Sequence, residues 1–284
     1  MLPHTILSGA PLFQFLRAMQ IASDVSAHRR HKCVMANDLE RPHRLAVLID
    51  ADNASSRIAT GLFEEIATIG EASVRRIYGD FSGTRLKGWG EVLATHAIMP
   101  HQNFANTVGK NASDIALVID AMDLLHSGRF DGFCLISSDS DFTRLAARIR
   151  EQGVDVFGFG EKKTPASFRQ ACKRFIYTEN LLPAAPTEIA AAAGPGKTPG
   201  AEVASNKQAP NKAVPLIMTA LSQMEDIDGW YPLGAVGNRL VALTPDFDSR
   251  TYGSAKLVTL VEKSGSFEVK RNDLKVLVRP KTAT

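Results

Sequence analysis

The sequence predicts an α/β fold: a three-layer domain on a mainly parallel sheet, then a small winged-helix-like domain. Three observations carry this. Between residues 43 and 182, short apolar runs alternate with amphipathic stretches. Residues 183–213 nearly lose their large apolar side chains and fill with Ala, Pro, Gly, Lys and Asn, the composition of a flexible linker. From residue 214 to 284, helix-spaced segments precede two short strand-like runs.

The first strand is 45–49, an unbroken aliphatic run of the kind buried on both faces. Residues 56–68 have helical spacing through Ile58, Leu62, Ile66 and Ile69. Residues 73–78 read as a second strand closed by Gly79-Asp80, 86–93 as a helix, and 96–99 as a short strand before Pro100. Residues 112–126 form an amphipathic helix with Ile115, Val118, Ile119, Met122 and Leu125 apolar. Strand 133–136, helix 143–151 stopped by Gly153, strand 154–157, short helix 165–172 and strand 175–177 complete the domain. Beyond the linker, Leu216, Met218, Leu221 and Met224 space as a helix, followed by 232–241 and 254–262. Residues 267–270 and 276–278 make a short wing. Residues 1–42 show no period and read as a poorly ordered segment, with Met35 an alternative start.

Length and composition fit a globular protein able to bury a proper core. The net charge is only +3, and the whole excess lies after residue 195, where 12 basic side chains meet 9 acidic ones. That gives weak support to a nucleic-acid-facing tail; a lysine-rich segment kept soluble is an equal alternative. Cys33, Cys134 and Cys172 are widely spaced with no CxxC pair, which suits reduced thiols and the cytoplasm. No apolar stretch approaches the roughly 20 residues of a membrane span, and the N-terminus lacks the basic start and clean apolar core of a signal peptide.

The chemistry concentrates at two strand ends. The run 45–49 stops at Asp50-Ala51-Asp52-Asn53, and the run 133–136 stops at Ser137-Ser138-Asp139-Ser140-Asp141-Phe142. In crossover sheets, ligands gather at carboxyl ends of strands. Two carboxylates two residues apart repel unless a cation or proton intervenes. Asp114 opens the central helix, where an acid also serves the macrodipole. Asn53 is a neutral ligand or a helix cap, and Asp139 or Asp141 alone would cap the next helix; the crowding of Ser137, Ser138 and both acids exceeds a cap's need. Hard carboxylate oxygens at Asp50, Asp114, Asp139 and Asp141 suit Mg²⁺ or Mn²⁺. His43, His96, His101 and His126 are scattered and offer no zinc set. An acidic cluster without a nucleophile suits metal-assisted attack by water on a phosphodiester. Asp80 ends another strand and is secondary. So is Asp120, roughly 240° around the helix from Asp114, which argues against both facing one site. Arg85, Lys87 and Lys110 lie in neighbouring loops suited to a nucleic-acid backbone, although a solvated face explains each as well.

These motifs, with Lys110-Asn111-Ala112-Ser113-Asp114-Ile115 and the stretch from Lys163-Thr164-Pro165 to Phe175-Ile176-Tyr177, resemble the NYN family. Its domains are PIN-like and include the LabA-like (DUF88) bacterial proteins. The resemblance implies a metal-dependent ribonuclease using Asp50, Asp114, Asp139 and Asp141, with Asn53 matching the family's asparagine. The tail resembles an OST-HTH (LOTUS) domain through residues 233–240 and Phe247-Asp248-Ser249-Arg250-Thr251-Tyr252-Gly253-Ser254-Ala255-Lys256-Leu257. That implies RNA as partner and Arg250, Tyr252 and Lys256 as contacts, with core packing an equal alternative for Tyr252. No nucleotide cofactor is expected, and a homodimer stays open. The rivals are a catalytically silent RNA-binding regulator and a haloacid-dehalogenase-like phosphatase; the latter wants a hydroxyl where Ala54 stands.

Overall fold

The structure is a computed structural model, and it describes residues 42–103, 112–182, 207–272 and 275–281. Residues 1–41 of the 1–42 segment expected to be poorly ordered, with Met35, the loop holding Lys110, and linker residues 183–206 lie outside the described residues. From His43 onward the chain forms one compact unit.

Its first part is a six-stranded sheet. The strands are β1 (Arg44–Asp50), β2 (Glu71–Gly79), β3 (Met99–Gln102), β4 (Gly132–Ile136), β5 (Asp155–Gly160) and β6 (Arg174–Tyr177). They run in the order β3-β2-β1-β4-β5-β6, and every neighbouring pair is parallel. Such a sheet needs helices on both faces. Leu45, Val47 and Ile49 of β1 pack under α1 (Ala59–Ala67) and α2 (Lys87–Val92), against Leu62, Ile66 and Trp89. Ala46 and Leu48 pack under α3 (Ala112–His126), α4 (Thr143–Glu151) and α5 (Ala166–Ala171), against Leu117, Ala121, Leu145, Ile149 and Phe168. Strand alternation continues this second series at Asp50, so its carboxylate leaves β1 on the α3 face. The chain builds outward from β1 through β2 to β3, then returns to β4 on the other side of β1. The order therefore reverses between β1 and β4, the place where open parallel sheets bind ligands.

β3 differs from its expected place at 96–99. It starts at Met99 and includes Pro100, which an edge strand accommodates because one side needs no donor. Ala97, at φ 51°, bends the chain just before it.

The second part contains a 3-10 turn (Pro210–Ala213), α6 (Val214–Leu221), α7 (Leu233–Leu243), α8 (Leu257–Ser264) and an antiparallel sheet. That sheet joins β7 (Tyr231–Pro232), β9 (Lys275–Pro280) and β8 (Phe267–Asn272) in that order. Ile217, Leu221, Val236, Leu240, Leu260 and Val278 form its core. Residues 207–213, assigned to the linker by composition, fold with this part: Ala213 is fully buried, and the Gln208 amide donates to the Thr251 carbonyl at 2.8 Å.

The two parts share a specific interface rather than a tether alone. The Phe175 amide on the edge strand β6 donates to the Pro245 carbonyl at 2.8 Å. Asp246 accepts from both Tyr177 Oη and Arg169 Nη1. Glu65 of α1 takes Arg174 at 3.0 Å and Arg250 at 2.9 Å. Asn180 Nδ2 donates to Thr251 Oγ1 at 3.2 Å.

Replacing Asp246 with Ala removes the acceptor shared by Arg169 and Tyr177 and leaves them only their bond to each other, at a cost of about 1–3 kcal/mol. Calorimetric melting should then occur at lower temperature or split into two transitions. An unchanged single transition would show that these contacts do not couple the two parts.

Candidate active site

Asp50 is only 1 % exposed, and both its oxygens are occupied. Oδ2 accepts from Ser137 Oγ at 2.7 Å and Asn53 Nδ2 at 2.9 Å. Oδ1 accepts from the amides of Asp52 at 3.1 Å and Asn53 at 3.3 Å. Burial raises its pKa, and these four donors work against that rise without cancelling it. Asn53 thus closes the turn after β1, and Ser137 ties the exit of β4 to the exit of β1. Ser137 Oγ also accepts the Asp139 amide at 3.0 Å, which fixes the next turn. Gly160 sits beside this tie because a Cβ there would lie 2.6 Å from the Ser137 carbonyl oxygen.

Asp139 caps the 3-10 turn Ser140–Phe142 that leads into α4, accepting the Asp141 amide at 2.9 Å. The Asp141 side chain is exposed. Ser138 Oγ accepts the Glu161 amide at 2.9 Å, so it braces the exit of β5 rather than opening on the cluster. Asp114, on the first turn of α3, has its pKa pushed up to about 6. Burial is the largest cause, followed by the charges of Asp50, Asp139, Asp52 and Asp141. Five carboxylates from three chain segments therefore share one electrostatic environment. Their hard oxygens match a divalent cation in donor type. As the side chains stand, no three His, Cys, Asp or Glu among the described residues are gathered as a ready metal set.

The secondary residues are placed elsewhere. Asp120 is a hub on the sheet side of α3: it accepts from Tyr78 Oη at 2.6 Å and Arg76 Nη1 at 2.7 Å, with His101 Nδ1 at 3.5 Å. Burial opposes its ionisation, but the Tyr78 and Arg76 bonds outweigh this and hold its pKa below the usual range. Asp80 accepts from Ser82 Oγ at 2.6 Å and Gln102 Nε2 at 2.7 Å. Tyr252 is 9 % exposed and packs on Phe247, with ring centroids 5.8 Å apart. Arg250 is engaged by Asp248 at 2.6 Å as well as by Glu65. Lys256, just before α8, is exposed.

Asp52 and Arg85 belong beside the site, although neither was expected among its carboxylates and their partners. Arg85 Nη2 pairs with Asp52 Oδ1, and Ser113 Oγ reaches Asp52 Oδ2 at 3.4 Å. The signal for Asp52 was its spacing, two residues after Asp50. Nothing in the sequence announces its pairing with Arg85, which is 33 positions away.

Residues 44–182 match the NYN domain, and residues 207–278 match the OST-HTH/LOTUS domain. The chain is an NYN protein with a C-terminal OST-HTH domain. NYN domains are PIN-like, nuclease-type domains, generally dependent on divalent metals, and OST-HTH domains bind RNA. No curated protein matches the chain. Among solved structures, it is similar to a protein of unknown function from Vibrio parahaemolyticus, at 18 % identity and TM-score 0.41, over 49 % of this chain and 94 % of that one. It is also similar to an uncharacterised protein from Nitrosomonas europaea, at 33 % identity and TM-score 0.25, over 34 % of this chain and 95 % of that one. The fold assignment rests on the domain matches and the strand order. Among the described residues, no helix is long and apolar enough to cross a membrane.

The raised pKa of Asp114 has a stability consequence. Between its ordinary value of 3.8 and about 6, the folded NYN protein binds more protons than the unfolded chain, so stability falls as pH rises through that window. Without divalent ions, Asp114→Asn should raise the melting temperature at pH 8 and have almost no effect near pH 4. A lower melting temperature at pH 8 would contradict an uncompensated charge at Asp114.

Proposed function

We propose that this NYN protein is a divalent-metal-dependent ribonuclease of the LabA-like type, hydrolysing RNA phosphodiester bonds while the OST-HTH domain holds the RNA. The observation that supports it most is the elevated pKa of Asp114, caused after burial by four neighbouring carboxylates. Such crowding of like charges is what Mg²⁺ or Mn²⁺ would relieve. Asp50, Asp114, Asp139 and Asp141 would hold the ion. When bound, it contributes Lewis acidity, neutralising phosphate charge and activating water.

The chain's own residues prepare the rest. Ser137 and Asn53 keep the Asp50 carboxylate oriented and ionisable. Before an ion binds, Asp114, with its pKa pushed up to about 6, is able to take up or release a proton at its carboxylate. Arg85 neutralises Asp52 at the mouth of the site and is exposed enough to turn to a phosphate. Lys110 and Lys256 are proposed backbone contacts; Arg250, held by Asp248 and Glu65, and Tyr252, packed on Phe247, would support the turn before Lys256. The buried thiols of Cys134 and Cys172 suit a reducing cytoplasm. A second reading, RNA binding without cleavage, is supported by Asp50, whose four acceptor positions are already used.

The test is cleavage of single- and double-stranded RNA pools with Mg²⁺ or Mn²⁺. Asp139→Asn should cost roughly 100-fold or more, because a metal's charge stabilisation amounts to several kcal/mol. It is a cleaner variant than Asp50→Asn, whose new amide would face the donors now bound to Asp50. Wild-type protein that cuts no RNA with either ion would favour the second reading.

A further inference from the structure

The outer face of the OST-HTH sheet carries a constructed group that the nuclease reading leaves unused. In the hairpin, Glu268 lies opposite Arg279, Lys270 opposite Leu277 and Asn272 opposite Lys275. Phe267 and Val278 are buried in the domain core, so strand alternation turns those six residues outward. Tyr231 pairs with Val278, which sets Trp230 beside Arg279 on the same outer face.

There the Arg279 guanidinium lies over the Trp230 ring, 4.6 Å from its centroid. Glu268 Oε2 accepts from Arg279 Nε at 2.8 Å and Nη2 at 2.6 Å. One planar cation is thus held between an indole beneath and a carboxylate, while its side chain remains 44 % exposed. Lys270 Nζ approaches the same ring at 5.9 Å. Lys275 and Lys281 are exposed nearby in sequence. Ile227, 65 % exposed, pairs with Trp230 and extends the face. The acids close by are partly spent: Glu268 on Arg279, and Asp226 on the Gly229 amide at 2.7 Å. Asp228 completes that turn at φ 54°.

We propose that this face is a platform for single-stranded RNA, one base stacking on the Arg279 plane backed by Trp230, with Lys270 and Lys275 meeting phosphates. Guanidinium planes and aromatic rings stack on unpaired bases, and lysines follow the backbone. A duplex keeps its base faces inside and cannot use the plate. The inference rests on the OST-HTH domain being the RNA-holding part, and it moves the contact surface from the Arg250–Tyr252 turn to the wing.

The experiment is fluorescence anisotropy of the full chain with labelled 20-nucleotide oligouridylate and oligoadenylate, in EDTA so that no RNA is cut, from 50 to 200 mM KCl. Arg279→Ala should weaken binding roughly 5- to 100-fold. Arg279→Lys, which keeps the charge and loses the plane, should weaken it nearly as much, and Trp230→Ala, which removes the ring beneath the guanidinium, should weaken it as well. Lys270→Gln with Lys275→Gln should lower the salt slope by about 0.7 for each phosphate that is no longer neutralised. All these side chains lie on the sheet's outer face, and circular dichroism checks the fold. RNA binding by wild type with affinity and slope unchanged in Arg279→Ala and the double lysine variant overturns the platform alone. No RNA binding by wild type overturns the RNA-holding role of the domain and the platform with it.

Discussion

A buried carboxylate must be satisfied, and the site of this NYN protein is organised by that requirement at Asp50. Its place at the end of an entirely apolar strand removes it from water. An unpaired charge there would cost several kcal/mol. The chain meets this with four donors drawn from the next turn and from Ser137. The Ser137 bond joins the exits of β1 and β4 where the strand order reverses, and the same hydroxyl accepts the Asp139 amide. Satisfying one charge thus places the second acidic turn beside the first, and α3 brings Asp114 to both.

This arrangement has a stability cost. Burial, and after it the neighbouring carboxylates, keep Asp114 reluctant to ionise, a cost that an exposed helix start would not carry. The OST-HTH domain adds a second level of organisation. It caps the β6 edge through the Phe175–Pro245 bond, anchors on Glu65 through Arg250, and anchors on Arg169 and Tyr177 through its own Asp246.

The central strands were legible because their signal is local: an apolar run ending abruptly in acids has few other uses. The helical angle between Asp114 and Asp120 also pointed correctly to different surroundings, and Asp120 joins Arg76 and Tyr78. What was hidden depends on contacts distant in sequence. Arg85 reaches Asp52 only because α2 and its loop return over β1. Arg250 looks like a free cation in sequence, yet Glu65, 185 residues away, claims it. The edge position that admits Pro100 into β3 exists only once the sheet order is known. The linker's apparent extent was misread at its end, because Ala213 is small in composition but central in packing.

The most direct measurement of the central claim is Mn²⁺ binding to the RNA-free protein, followed by electron paramagnetic resonance. A shared carboxylate site predicts saturable binding to wild type that is lost or strongly weakened in Asp114→Asn and in Asp139→Asn, and retained in Asp120→Asn. Binding that is absent in wild type, or equal in all three variants, would contradict a metal site built on these strand ends.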